Sequence, residues 1–283
     1  MTETAPLSFD LVVATVGRAA ELEGLLESLI ALTYQRFRVL VVDQNEDRRL
    51  EGALSGYGQL EVMHLRSEPG LSRARNRALS VVEAGVVAFP DDDCVYPPDL
   101  LEQVARRLSR EPELAGLTGR AVDGDGRSEP SWKRDGAPLT DRNLWNRAIS
   151  YTVFLRREIV DLVGAFDEEL GLGSGNPWSS GEEIDYLVRA LRAGARIEYD
   201  PELTVIHDLP VLAPAELRER GFRDGASLGY ILRKHYPWSE IGRRLVRPLG
   251  GIAGSLGRLD RNRAGYHAAT LRGRMHGLTS SRS

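Results

Sequence analysis

Apolar residues fall into short runs along most of this chain, and two periods can be read in them. Residues 9–15 (FDLVVAT), 37–43 (FRVLVVD) and 86–89 (VVAF) are almost unbroken apolar stretches that lead into polar or acidic residues. Valine-rich runs of this length suit strands buried on both faces. A shorter run at 60–65 predicts a further strand between the second and the last of these. In the intervals the spacing changes to that of helices. Leu22, Leu25, Leu26, Leu29 and Ile30 predict an amphipathic helix over 21–32, and 71–84 a second, with Ser72 placed to help cap it. Alternation of this kind predicts an α/β fold with a mainly parallel, Rossmann-like central sheet, right-handed crossovers and flanking helices.

Beyond residue 150 the pattern loosens. Leu187, Val188 and Leu191 predict a helix that begins near residue 182, and residues 203–206 read as a strand. After 210 the periodicity is helical, over 214–227, 228–236 and a basic stretch onward. Gly221, Gly225 and Gly229 recur every four residues, a spacing that lets two helices approach closely. The expected division is an α/β domain over 1–210 and a helical, basic C-terminal extension over 211–283.

Composition adds limits. With 283 residues and 42% hydrophobic content, the chain is long enough for one large α/β domain and an appendage. No apolar run approaches the roughly 20 residues a membrane-spanning helix needs, and residues 1–10 lack the features of a secretory signal. Cys94 is the single cysteine, so no intrachain disulfide forms, in keeping with a cytoplasmic setting. Charge is uneven. Residues 241–283 hold nine arginines and one acid, Asp260, a balance of +8 that leaves −12 for the rest of a chain of net −4. A basic tail on an acidic body suggests an anionic surface as partner.

The chemistry gathers at strand ends. The run at 86–89 leads into Asp91-Asp92-Asp93, where an open α/β sheet places its ligand crevice. Three carboxylates this close repel, and a hard divalent cation such as Mg²⁺ or Mn²⁺ relieves the repulsion. An acidic turn that merely stops the strand is the alternative. Thr15, Val16, Gly17 and Arg18 follow the first strand, and Asp43 and Gln44 close the second. The segment GLSRARN (70–76) opens a helix whose N-terminus can meet an anion, with Arg73, Arg75 and Asn76 in its first turns. Arg73 and Arg75 are two apart, so only one can share a given helix face. Further on, a glycine-rich loop carrying Trp178, Ser180 and Gly181 runs into Glu182, Glu183 and Asp185. Each acid alone is explained by a helix N-terminus. The loop and the acids together suit a mobile binding loop beside a general base.

Taken in order, VVATVGR, VVDQN, GLSRARN, AFPDDDCVYPPDLL, GAFDEELG and SGEEIDYLVRAL resemble the family 2 inverting GT-A glycosyltransferases over residues 7–208. The resemblance implies a GT-A fold and transfer of a sugar from a nucleotide-diphosphate-sugar to an acceptor hydroxyl, with inversion. It makes Asp91 and Asp93 the DxD metal ligands, with Asp92 at the ribose or the metal shell, and His207 a further metal ligand. The family's ED pair falls on Glu182-Glu183, which puts Glu183 in the role of base, Glu182 as its alternative and Asp185 as a cap or loop anchor. The donor contacts would come from residues 15–18, Asp43, Gln44, Arg73, Arg75 and Asn76. Gln44 replaces a common acid, which leaves UDP, dTDP and GDP donors open with a lean to a pyrimidine. Trp178, Ser180 and Gly181 would meet the acceptor, with Trp132 and Trp145 as further stacking candidates.

Other classes fit less well. A sugar-phosphate nucleotidyltransferase would carry a glycine-rich phosphate loop after the first strand, and residues 15–18 contain one glycine. A non-catalytic binding module would lack the metal acids or the base. Nucleic acid is not an expected partner, because the basic tail has no aromatic-rich motif. In that tail Ile241, Leu245, Leu249, Ile252 and Leu256 recur at helical spacing beside Arg243, Arg244 and Arg247. Peripheral contact with the inner membrane face, a cap over the site and a homodimer contact are the readings it allows. Pro248 and Gly250-Gly251 favour two short helical pieces there.

Overall fold

The computed structural model describes residues 6–129, 131–208 and 212–280. They gather into two compact units. The first runs to Pro69, continues over Arg73–Phe166 and ends with 186–208; the second takes Gly70–Ser72, Asp167–Asp185 and 212–280.

The first unit is built on an eight-stranded sheet. Its strands are β1 (Phe9–Thr15), β2 (Phe37–Asp43), β3 (Val62–Arg66), β4 (Val86–Ala88), β5 (Gly116–Val122), β6 (Ala137–Pro138), β7 (Val153–Arg156) and β8 (Ile197–Ile206), in the order β3-β2-β1-β4-β7-β5-β8-β6. β1 pairs in parallel with β2 and β4, β2 with β3, and β5 with β8. β7 lies antiparallel between β4 and β5, which leaves those two strands pointing the same way. The C-terminal ends of β1, β2, β4 and β8 therefore lie along one edge.

Leucines on one face of α1 (Ala19–Ile30) and of α4 (Leu100–Arg110) cover this sheet: Leu22, Leu25, Leu26 and Leu29 on the first, Leu100, Leu101 and Leu108 on the second. Burial of each such side chain contributes roughly 1.5–3 kcal/mol. Cys94 lies in the same core, fully buried and unpaired, and burial pushes its thiol well above the usual range. Short helices α2 (Arg49–Ser55) and α5 (Arg157–Val163) complete the connections. Between β5 and β8 the register shifts at Gly119, where a Cβ would come within 2.3 Å of the Leu203 carbonyl oxygen. Only glycine permits that approach.

Helix α3 (Leu71–Leu79) stops five residues short of the expected 84. The cause is Asp10, fully buried in β1, whose carboxylate accepts from the backbone N–H groups of Glu83 and Ala84 at 2.7 and 3.0 Å. Arg38 neutralises that carboxylate through two contacts of 2.5 and 3.1 Å.

In the second unit α7 (Pro214–His235) is one helix where two were expected, with Pro214 in its first turn. It packs on α9 (Arg261–Thr279) at backbone distance. A Cβ on Gly225 would sit 2.3 Å from the Thr270 carbonyl oxygen, and one on Gly277 2.0 Å from that of Ala226. Helix α8 (Trp238–Gly257) also runs unbroken, through Pro248. Proline leaves the carbonyl four residues back, that of Arg244, without its helical donor. The Arg274 guanidinium donates to it, so the expected break does not occur. Among the five apolar tail positions, Ile241 is buried, Leu245 and Ile252 are half-buried, and Leu249 and Leu256 are exposed. No helix among the described residues is long and apolar enough to cross a membrane.

Candidate functional site

Along the sheet edge of the first unit, β4 delivers Asp91, Asp92 and Asp93. An isolated bridge between Val95 and Ile206 ties this loop to the end of β8 and draws His207 beside it. One ligand atom each from Asp91, Asp93 and His207 lies within 4.8 Å of the other two. Two carboxylates and an imidazole are a donor set for Mn²⁺ or Mg²⁺ with open positions for further oxygen ligands. The residues fit such an ion.

Positive groups already surround these acids. His207 Nε2 meets Asp93 Oδ1 at 3.1 Å, and Arg18 Nη1 donates to Asp93 at 2.6 Å and to Asp92 at 3.2 Å. The His207 contact, helped by Arg18, holds the Asp93 carboxyl below its ordinary range, and the same contact raises His207. Burial raises Asp92, with Arg18 working against it. Asp91 accepts from Ser150 at 3.2 Å and lies 3.4 Å from Arg75. The His207 ring stacks on Tyr151, centroids 4.8 Å apart and planes within 4°.

β1 and β2 supply the neighbouring groups. Thr15 is buried, Val16 is exposed, and the Gly17 N–H, at φ +72°, donates to Asn45 at 2.7 Å. Gln44 is buried beside Asp43. The Asp43 carboxylate is fully enclosed and accepts from the Asn45 backbone and side chain, His64 and Arg66. Burial alone would raise it, but these donors hold it below its usual range.

The helix α3 residues separate as their spacing requires. Arg73 is exposed and donates to the Pro69 carbonyl, whereas Arg75 is buried, beside Asp91 and over the rings of Phe89 and Phe166. Asn76 exchanges a reciprocal pair of hydrogen bonds with the Phe166 backbone.

In the second unit the acids begin α6 (Glu182–Arg192). Glu182 is buried and Glu183 half-buried. Asp185 is fully buried, 2.6 Å from His235 Nε2 and 2.8 Å from Lys234 Nζ. Lys234 also reaches Asp167 at 2.6 Å, where the Tyr230 hydroxyl donates at 3.0 Å. Trp178 is 2% exposed and stacks on Tyr230, and its indole N–H has no acceptor among the described residues. Ser180 bonds to Ser227 and Asp224 and lines a cavity of about 540 Å³ with Arg220, Arg223 and Glu219. Gly181 sits at φ +82° against Ile231.

Several partners escaped the sequence reading. Ser150 and Tyr151 carry no motif. Lys234 and His235 lie some fifty positions from Asp185, and a signal did exist: Lys234 is one of two lysines in an arginine-rich chain.

Residues 10–163 match the family described as Glycosyl transferase family 2. The chain is 26% identical over 236 residues to the pre-mycofactocin glycosyltransferase of Mycobacterium tuberculosis, covering 79% of this chain and 47% of that one. It is 26% identical over 248 residues to glycosyltransferase AglE of Haloferax volcanii, covering 80% and 74%. The chain thus spans about half the length of the first of these relatives. Among solved structures it is similar to the mannosyltransferase PcManGT from Pyrobaculum calidifontis in complex with GDP-Man and Mn²⁺, with a TM-score of 0.67, 15% identity and 98% and 88% coverage. It is also similar to S. aureus TarS 1-349 in complex with UDP-GlcNAc, with a TM-score of 0.60, 17% identity and 94% and 90% coverage. The fold is that of the GT-A glycosyltransferases.

Proposed function

The chain belongs to glycosyl transferase family 2, and on that footing we propose that it is a metal-dependent, inverting glycosyltransferase of the cytoplasm. It moves a sugar from a nucleotide-diphosphate-sugar to an acceptor hydroxyl. The observation that carries this reading is the convergence of Asp91, Asp93 and His207. Those three residues would hold Mg²⁺ or Mn²⁺, which supplies Lewis-acid stabilisation of the leaving diphosphate. Arg18 and Arg75 contact the acids, and Arg18, half exposed, exchanges its contacts with Asp92 and Asp93 for the donor's phosphates. Neighbours solved with GDP-Man and with UDP-GlcNAc support a nucleotide-sugar donor. With Asp43 saturated by its own donors, Gln44 reads the base, and its amide suits a pyrimidine of UDP or dTDP.

Glu183 takes the proton from the acceptor hydroxyl, and Glu182 shapes its surroundings. Asp185, already paired with Lys234 and His235, anchors the turn that carries them. The acceptor meets the loop of Trp178, Ser180 and Gly181, with the indole acting from inside as a support. One base without an enzyme nucleophile gives a single displacement, hence inversion. Incubation with a panel of UDP-, dTDP- and GDP-sugars and Mn²⁺ tests the reading. Release of nucleoside diphosphate from one donor, abolished by EDTA, with NMR showing an inverted anomeric centre, is the expected result. No release from any donor, or a retained anomer, overturns it.

A further inference from the structure

Helix α8 exposes an apolar face that no described residue covers. Trp238 is 76% exposed, Val246, Leu249 and Leu256 are each at least half exposed, and Leu259, just past the helix, is 89% exposed. At 3.6 residues per turn the four helical members fall within an arc of about 80°, with Gly242 and Ala253 between them. The seam of α8 that packs within the unit is separate and lies along Ile241, Pro248 and Ser255, one residue in seven. The exposed face is therefore surplus to the packing of the helix.

Charge borders this face on its open side. Arg243 and Arg247 project from the next strip of the same helix, both exposed, and Arg258 and Arg261 are exposed at its C-terminal exit. Two acids lie nearby, Glu240 paired with Arg243 and Asp260 capping α9 by accepting from the Arg263 N–H, and the four arginines outnumber them. The result is a helix about 30 Å long that presents tryptophan and aliphatic side chains flanked by a row of guanidinium groups. A second copy set against this face would bring two arginine rows together. An anionic lipid surface meets both halves of the pattern, because the acyl boundary takes the apolar strip and the headgroups take the arginines.

We propose that α8 is an interfacial helix that docks the protein peripherally on a bilayer containing anionic phospholipid. The surface is independent of the transfer reading, and its test involves no sugar transfer.

The test is co-sedimentation of the full chain with vesicles of phosphatidylcholine alone and of phosphatidylcholine with one quarter phosphatidylserine. The protein should pellet with the anionic vesicles, remain in solution with the neutral ones, and be released by added salt. Arg243→Gln with Arg247→Gln should weaken binding about 25-fold, at about fivefold per arginine near such a surface. Trp238→Ser with Leu249→Ser should abolish it at unchanged melting temperature. Arg77→Gln with Arg106→Gln, two exposed arginines of the first unit, should leave it unaltered. Absence of wild-type binding overturns the proposal, as does equal binding to neutral vesicles or equal loss in the Arg77/Arg106 control. A dimer in sedimentation velocity that Trp238→Ser dissolves would overturn it in favour of a second copy.

Discussion

At the sheet edge Asp91, Asp92 and Asp93 share Arg18, Arg75 and His207, and all but Asp92 keep part of their surface open. In the second unit Asp185 is fully enclosed with Lys234 and His235 within 2.8 Å. Both clusters are acidic, both follow a glycine or proline turn, and in the sequence they look alike. They differ in where the balancing charge comes from. Asp185 has a cation that belongs to the fold, and a buried pair of this sort is costly to break. Of the three acids of the first unit, Asp91 and Asp93 stay partly exposed, and each has a ligand atom within 4.8 Å of the other's and of one from His207. A carboxylate enclosed with its own cations, as Asp185 is, needs no ligand; carboxylates left partly open, as Asp91 and Asp93 are, can accept one.

The largest effect expected from this contrast is at Asp93. Asp93→Ala should lose transfer to background while keeping its fold, because removal of one acid also relieves repulsion. Mn²⁺ should raise the melting temperature of the wild type and leave Asp93→Ala unmoved in a thermal-shift titration. Activity that survives in Asp93→Ala or in EDTA would break the comparison. Next in size is the base. Glu183→Gln should lower kcat by about 10²–10⁴-fold, with donor affinity measured by calorimetry nearly unchanged. If Glu182→Gln is the inactive variant and Glu183→Gln turns over normally, the roles of the pair are exchanged.

The third effect falls on stability. Lys234→Met strips a cation from both Asp185 and Asp167. Loss of one partner from a fully buried pair costs about 3–5 kcal/mol, and the quarter of Lys234 that is exposed should reduce this to about 2 kcal/mol or slightly more. The midpoint of urea unfolding measures it, and an unchanged midpoint would make the second cluster no different from a surface one. The smallest effect concerns acid. Burial acts to raise Asp167, but Lys234, the Glu169 backbone and Tyr230 hold it below its usual 3.8. A depressed carboxyl contributes stability that is present above that value and is lost as pH falls through the folded-state one. Stability should therefore decline below about pH 4, and Lys234→Met should decline less steeply.

How far these regions were legible follows from distance along the chain. The unbroken apolar runs of Phe9–Thr15 and Phe37–Asp43 and the helical spacing of Leu22 to Leu29 are local patterns, and they appear in the fold as expected. Asp91–Asp93 were visible because three like charges at a strand end have few explanations. What could not be read was pairing across long separations: Asp185 with His235, Asp91 with Ser150, and Asp10 with the N–H groups that end α3. The unbroken course of α8 was hidden for the same reason, since Arg274, thirty positions on from Arg244, supplies what Pro248 removes. Spacing showed that Arg73 and Arg75 cannot share a helix face, but not that Arg75 would be the buried one; the rings of Phe89 and Phe166 decide it.

Cys94 gives the protein a built-in clock. It is the chain's single thiol, lies directly after the three acids, is fully enclosed and is held as the unreactive protonated form by its surroundings. An alkylating reagent in solution can reach it only during the moments when that stretch of the first unit opens. The modification rate of the whole, unmodified protein is thus a count of those openings, with no label to introduce and no second cysteine to subtract. Whatever ties Asp91 and Asp93 to His207 must slow the count, so occupancy of the sheet edge can be timed with a mass spectrometer before any product is known.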